Sequence, residues 1–380
     1  MKLAMSDIMK KGIVFPQFIS AKRMLMMSSI LKQCSILGWQ GEYDEDQLLE
    51  VPNLYHVPKL HGRNVLMALM DWNGYTHEDS AVISESLANK LTTYKTITEV
   101  VEHIKLPTLL VELGDRIKPH TPIASLPGEN GQVWISTNNV EASIDNIRFE
   151  TELIEDKLIN RFSVDLIAEY RCGVGSKISN LHSVKNTISS ILPNDRMPVM
   201  QNGEHIELMV SPTSVSNRKN PSMILECMLG MYLRELGNRH GIPAPHMVIE
   251  QFDPDINFKK VSNLLYSMDL PENGMFRLKN GTKGHVFKYS TLVGYIFLMR
   301  LHHHSEDKIK HSKKINIDHR GFAQLGVGSQ RLNRDEMEAL WTYGAHGIIN
   351  EAIELNKKTS VCDTIKEYVQ CIGYKYEEKK

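Results

Sequence analysis

A mixed α+β fold is predicted by three stretches of this 380-residue chain. The first, NVLMALM from Asn64, loses polar alternation over Val65 to Met70 and stops at Asn73-Gly74. That is the pattern of a strand covered on both faces and ended by two residues that tolerate positive φ. The second is the Pro- and Gly-punctuated block LGDRIKPHTPIASLPGENGQVWIS within residues 103–165, which reads as a small β-rich insertion. The third, SMILECMLGMYLRELGNRH at 222–240, is an amphipathic helix stopped by Gly241. A hydrophobic content of 42% with 23% charged residues suits a soluble globular protein with ample core.

The remaining elements follow in chain order. Residues up to about 60 read as helical and irregular, with Met and Leu at helical spacings from Arg23 to Leu37 that suit packing. After the Asn64 strand comes the acidic pair Glu78-Asp79. Taken alone it reads as a helix start, favoured by the amide dipoles there, or as carboxylates delivered to the rim of a core. Strand patterns resume from Phe162 to Tyr170 and in EHIELMVSP from Glu204. Asp253-Pro254-Asp255 is a turn, and a second helix is expected near Asp335, with Met337, Leu340 and Trp341 at helical spacing. There are no internal repeats or flexible linkers, so the parts are expected to pack together, leaving only the EEKK tail free.

Charge and cysteine usage narrow the class. Net charge is −1, which argues against a general polyanion binder. From Arg277 to Arg320, however, ten Lys and Arg stand against three acids (Glu306, Asp307, Asp318), a local charge of +7 with six histidines interleaved. Such a stretch reads as a solvated face or as a surface that neutralises phosphates. Cys34, Cys172, Cys227, Cys362 and Cys371 are scattered without a CxxC, so neither a disulfide framework nor a zinc site is indicated, and a reducing compartment is expected. The triple histidine 302–304 does not make a chelating set, because adjacent residues on one element point apart. No apolar run approaches the ~20 residues needed to span a bilayer. The N-terminal apolar patches are broken by Lys10, Lys11, Lys22 and Arg23, so no secretory signal is read there.

Asn-Gly-Tyr followed by Glu78-Asp79-Ser80 after an apolar strand resembles the second-largest (β) subunit of multisubunit, DNA-dependent RNA polymerases. Four further segments match that family in the same order. GSKISNLHSVKNTIS from Gly175 is similar to the pattern in which two lysines eight residues apart flank a Gly-Arg-His-Gly-Asn core, with Lys177, His182 and Lys185 on matching positions. Asn180, Leu181, Ser183 and Asn186 stand where the family has Gly, Arg, Gly and Gly. SPTSVSNRKNPSMILE from Ser211 resembles the Pro-Ser-Arg-Met-Asn segment, with Arg218 as the triphosphate guanidinium and Asn220 as its structural neighbour. AKRMLMMSSILKQCS from Ala21 resembles a family helix in which Arg23 would be a second triphosphate contact; Gln33 matches, and Lys32 replaces Arg. The tail from Met268 resembles the hybrid-binding and switch region, placing His303, Lys308 and Arg331 on nucleic-acid contacts, with two residues out of step between Gln324 and Gln330.

The resemblance implies a double-psi β-barrel with a flap and wall insertion, followed by hybrid-binding and helical switch and clamp elements. It divides the chain into a fork-adjacent segment (1–60), the barrel (61–102 and 166–225), the insertion (103–165), a helical segment (226–275), the hybrid-binding and switch region (276–334) and clamp helices (335–380). It implies a nucleotidyltransferase active only in a complex. Lys177 and Lys185 would lie beside the RNA end and the incoming nucleotide, with Gln33 and His182 contacting nucleic acid. Glu78 and Asp79 would help a second Mg²⁺ whose principal ligands, an aspartate triad, belong to a β′-like chain, since no Asp-x-Asp-Gly-Asp motif occurs here. Expected partners are an N-terminal β polypeptide, β′-like chains, a promoter-specificity factor, DNA template, RNA and nucleoside triphosphates, with no membrane. Coverage of only the C-terminal part of a full β subunit resembles the split polymerases of giant tailed bacteriophages, which implies the cytoplasm of an infected host, or the virion, as location. Two alternatives stay open: a non-catalytic β-like barrel used in assembly, and a free-standing nucleic-acid-binding barrel.

Overall fold

The structure, a computed structural model, describes residues 13–34, 39–41, 45–52, 62–103, 105–125, 133–136, 140–154, 157–304, 332 and 334–355. It comprises two units, Met1–Asp307 and Lys308–Lys380. In the first, helix α1 (Ala21–Leu31) and short strands β1 (Trp39–Gly41) and β2 (Leu49–Glu50) precede β3 (Gly62–Leu69) and β4 (Ser80–Ser84). Helix α2 (Glu85–Lys90) follows, capped by Ser84 Oγ, which accepts from Leu87 N at 3.1 Å. Glu85 in its first turn and Lys90 in its last suit the helix dipole. The helix start that an acidic pair suggests therefore lies here, beyond β4, and Glu78-Asp79 occupy the turn before that strand.

The insertion then runs through β5 (Thr93–His103), β6 (Thr108–Leu109), β7 (Arg116–Ile117), β8 (Pro122–Ser125), β9 (Val133–Ile135), β10 (Ala142–Ile154) and β11 (Lys157–Tyr170). Its strands begin at Thr93 and end at Tyr170, outside the 103–165 read from the Pro and Gly punctuation, because the whole of β5 pairs with Asn160–Tyr170 of β11. One sheet has the order β1-β5-β11-β10-β7 and another β6-β8-β9. They enclose a core of their own, including Ile117, Ile123, Ile144, Val164 and Leu166.

The chain returns in β12 (Lys177–Asn180), β13 (Lys185–Leu192) and β14 (Leu208–Val210), then α3 (Thr213–Ser216) and α4 (Ser222–His240). Strand β15 (Met247–Val248), helix α5 (Phe258–Ser267), and strands β16 (Met275–Phe276) and β17 (Thr291–Arg300) complete the unit. The pairing β12-β13-β4-β14-β3-β17 returns from β17 to β12 and closes a ring of six strands. It is a mixed barrel: β13 runs parallel to β4 and β14 parallel to β3, whereas β17 is antiparallel to both β3 and β12. Closure leaves these six strands no free edge along the ring. Thr291–Arg300, which the resemblance assigns to the hybrid-binding region, is thus a barrel strand.

Val65 to Leu69 are all buried, as the loss of alternation requires. One covering layer is α4, which lies on β17 where Gly230 meets the Tyr295 backbone and Gly294 meets the Cys227 backbone. The helix ends as its sequence indicates, with Gly241 at φ 65. In the second unit, α6 (Arg334–Thr342) and α7 (His346–Leu355) pack Ile349 and Ile353 against Met337, Leu340 and Trp341.

Candidate nucleotide and nucleic-acid site

Three loops of the first unit meet around the β12–β13 hairpin. Lys177 stands opposite Thr187, and Lys185 opposite Ser179. Both lysines therefore lie on one face as a diagonal cross-strand pair, about 7–8 Å apart by ladder geometry. Among the described residues neither pairs with a carboxylate. The acidic turn runs alongside: Thr187 N donates to Asp79 O at 2.7 Å, and Ser214 Oγ at the start of α3 donates to Glu78 O at 3.2 Å. Asn73, Gly74 and Glu78 all have positive φ (47°, 82° and 51°), so the turn uses the backbone freedom read from Asn-Gly and holds Glu78 itself in a strained conformation.

Arg23, Glu78, Asp79, Thr213, Ser214, Asn217 and Arg218 line one cleft of about 290 Å³. Arg218 Nη2 pairs with Asp79 Oδ1, with the arginine side chain 10% exposed and the aspartate 63%. The other terminal nitrogen, Nη1, is buried with no hydrogen-bond partner among the described residues. Burial and then the like charge of Arg23 lower the pKa of Arg218 from its ordinary value. A guanidinium stays charged at neutral pH regardless. Such a fork, on a residue that lines the cleft and with one terminal nitrogen paired and the other without a partner among the described residues, has the donors that suit a phosphate oxygen. Thr213, Ser214 and Asn217 were not singled out in the sequence; their signal was a run of short polar side chains just before Arg218.

The departures from the family's Gly-rich core are accommodated. Ser183 takes φ 60°, the conformation a glycine would adopt freely, and its hydroxyl donates to Arg23 O at 2.6 Å, fastening α1 to the hairpin tip. Leu181, where the family has Arg, is buried with Ile13, Met27 and Ile30. Asn186 is buried and donates to Ser80 O at 3.4 Å.

Gln33 and His303, far apart in sequence, come together: His303 Nε2 lies 2.8 Å from Gln33 Oε1, and His302 N donates to Gln33 O at 2.8 Å. Leu301 N donates to Lys177 O at 2.9 Å, which places this pair beside the lysine hairpin. His304 turns the other way, against the Tyr170 ring and Arg300, whereas the His302 and His303 rings lie side by side with centroids 4.7 Å apart, so adjacent histidines do not all point apart as the sequence suggests. His182 does not face the cleft. Its side chain is fully buried and pairs through Nε2 with Glu226, so burial sets it apart from the nucleic-acid contact expected of it. Lys308 and Arg331 lie outside the described residues.

Among the described residues no group of three or more His, Cys, Asp and Glu could hold a metal ion. Glu78 and Asp79 are a two-carboxylate oxygen set, both largely exposed. That fits a Mg²⁺ bound by one or two carboxylates plus substrate phosphates rather than a closed protein cage. Among the described residues no helix is long and apolar enough to cross a membrane.

The family model of RNA polymerase Rpb2, domain 6, matches residues 127–317. The DNA-directed RNA polymerase subunit beta of Physcomitrium patens is 27% identical over 366 residues, covering 77% of this chain and 33% of that protein. That of Syntrophomonas wolfei is 26% identical over 368 residues (81% and 32%). That of Fusobacterium nucleatum is 28% identical over 370 residues (81% and 30%). The chain spans about a third of the length of these relatives. With its matched segment covering barrel strands β12, β13, β14 and β17, the lysine hairpin and Arg218, the chain belongs to the RNA polymerase Rpb2, domain 6, family.

Proposed function

We propose that this chain supplies one side of the active-centre cleft of a multisubunit DNA-directed RNA polymerase, as the C-terminal polypeptide of a split β subunit of giant-bacteriophage type. The observation that carries the reading is the convergence of Arg23, Arg218, Glu78 and Asp79 on one cleft, with Arg218 Nη1 buried and without a partner among the described residues. Arg218 and Arg23 bind the triphosphate of the incoming nucleotide. A phosphate oxygen completes the hydrogen bonding of Arg218 and competes with Asp79 for it. Lys177 and Lys185, on their common face, steady the RNA 3′ end and the reacting phosphates by charge compensation. Glu78 and Asp79 would hold the Mg²⁺ that accompanies the nucleotide, and that ion would supply charge neutralisation for phosphoryl transfer. The double-psi form of the barrel, hybrid contacts by Gln33, His303, Lys308 and Arg331, the N-terminal β and β′-like partner chains, the specificity factor and action in an infected host's cytoplasm are parts of the same reading.

The test is RNA extension by the complex reconstituted with its partner chains. Arg218→Ala is expected to slow extension about 10²-fold or more, the usual effect of losing one donor to developing charge. Extension at the normal rate and with normal nucleotide dependence would remove the assignment.

A further inference from the structure

We propose that the buried His182–Glu226 pair is a positioning unit that sets the lysine hairpin and Arg218 relative to each other, and that His182 makes no contact with nucleic acid. This rests on the function proposed above. The pair lies at the crossing of three segments. His182 sits between Lys177 and Lys185, and its backbone N–H and that of Val184 both donate to Asn180 Oδ1, at 3.0 and 3.1 Å, which fixes the hairpin tip. Its carbonyl accepts from Asn220 Nδ2, and Asn220, two residues beyond Arg218, is fully buried. Asn220 Oδ1 in turn accepts from Ser222 Oγ at 2.8 Å, tying the same loop to the start of α4. Glu226, one turn further along that helix, takes the His182 ring with one carboxylate oxygen and the Phe297 N–H of β17 with the other, at 2.8 Å.

Each link is buried, so an alternative placement of the hairpin would strand donors or acceptors away from water, at a cost of about 1–3 kcal/mol apiece. The network therefore favours one separation between the ammonium groups and the guanidinium. A change of 1 Å in such geometry is enough to cost substantial rate. The ring has no exposed surface, so an RNA or DNA strand meets it only if the hairpin leaves α4.

The experiment uses the reconstituted complex and a preformed RNA:DNA hybrid scaffold. His182→Leu is expected to leave scaffold affinity within twofold of wild type while shifting the nucleotide KM or maximal extension rate by about tenfold. Arg218→Lys, which weakens the wild-type complex, is expected to have at least a fivefold smaller effect in the His182→Leu background, because the guanidinium is already misplaced. Glu226→Gln, which keeps side-chain volume, is expected to show the same non-additivity to a smaller degree, and it serves if His182→Leu does not assemble. Loss of scaffold affinity with unchanged nucleotide dependence would make His182 a nucleic-acid contact. Penalties that simply multiply would make the network structural alone. Either result overturns the inference. An inert Arg218→Lys in the wild-type background would instead overturn the functional reading beneath it.

Discussion

Replacing Gly294 with alanine tests the contact on which both the barrel and the positioning network depend. A Cβ at Gly294 would stand 2.0 Å from Cys227 O and 2.6 Å from Cys227 C. Ordinary carbon contacts lie at about 3.5–4.0 Å, so α4 must withdraw from β17 by roughly 1.5 Å. The obstructing atoms are helix backbone and cannot rotate aside, which puts the cost at the upper end of the overpacking range, about 3 kcal/mol. Cys227 adjoins Glu226, so the same retreat stretches the bond from Phe297 N to Glu226 Oε1 and adds about 1 kcal/mol. Urea unfolding followed by fluorescence should therefore show a fall of about 3–4 kcal/mol with unchanged m. Gly173→Ala, where a Cβ meets nothing within 4 Å, should stay within about 0.5 kcal/mol. A Gly294→Ala protein as stable as the Gly173→Ala control would refute the close packing of α4 on β17.

Two further outcomes follow from buried titratable groups. His304 is held down from 6.5 to about 3 by burial, then by Arg300, His302, His303 and Lys95. The unfolded chain binds a proton near pH 6.5 that the folded chain refuses, so this contribution is complete above that pH and is lost on acidification toward pH 3. Between pH 6.5 and 5 the wild type should lose about 1 kcal/mol per pH unit more than His304→Gln in urea titrations, and equal slopes would remove the assignment. Burial also pushes the Cys34 thiol up to about 12 and the Cys227 thiol higher still. Neither should react with a thiol reagent at pH 8 until denaturant is added, and rapid native labelling of either would contradict its burial.

Local elements were legible where one segment carries its own signal. The strand at Val65, the Asn73-Gly74 turn and the helix from Ser222 to Gly241 are each written in a single run of residues, and each stands where its pattern puts it. The closing strand β17 was not legible, because its barrel role depends on pairing with β3 and β12, more than a hundred residues earlier. The same holds for the meeting of Gln33 with His303. His182 was readable by motif but not by environment. The cue to its burial was Glu226, a carboxylate set among apolar residues on the buried side of α4, where a charge needs a partner.

One side chain has a consequence for how the barrel tolerates its large insertion. Arg300 is 1% exposed, and it donates to Leu91 O at 2.8 Å and Thr93 Oγ1 at 3.3 Å where the chain leaves, and to Tyr170 O and to Arg171 O at 2.8 Å where it returns. Thr93 and Tyr170 are also directly paired across the sheet. The two ends of the excursion are thus riveted together by the barrel's own last strand. Residues 94–169 form a cassette with a fixed socket: they can lengthen, shrink or be exchanged for a tight turn without asking the six strands beneath to move.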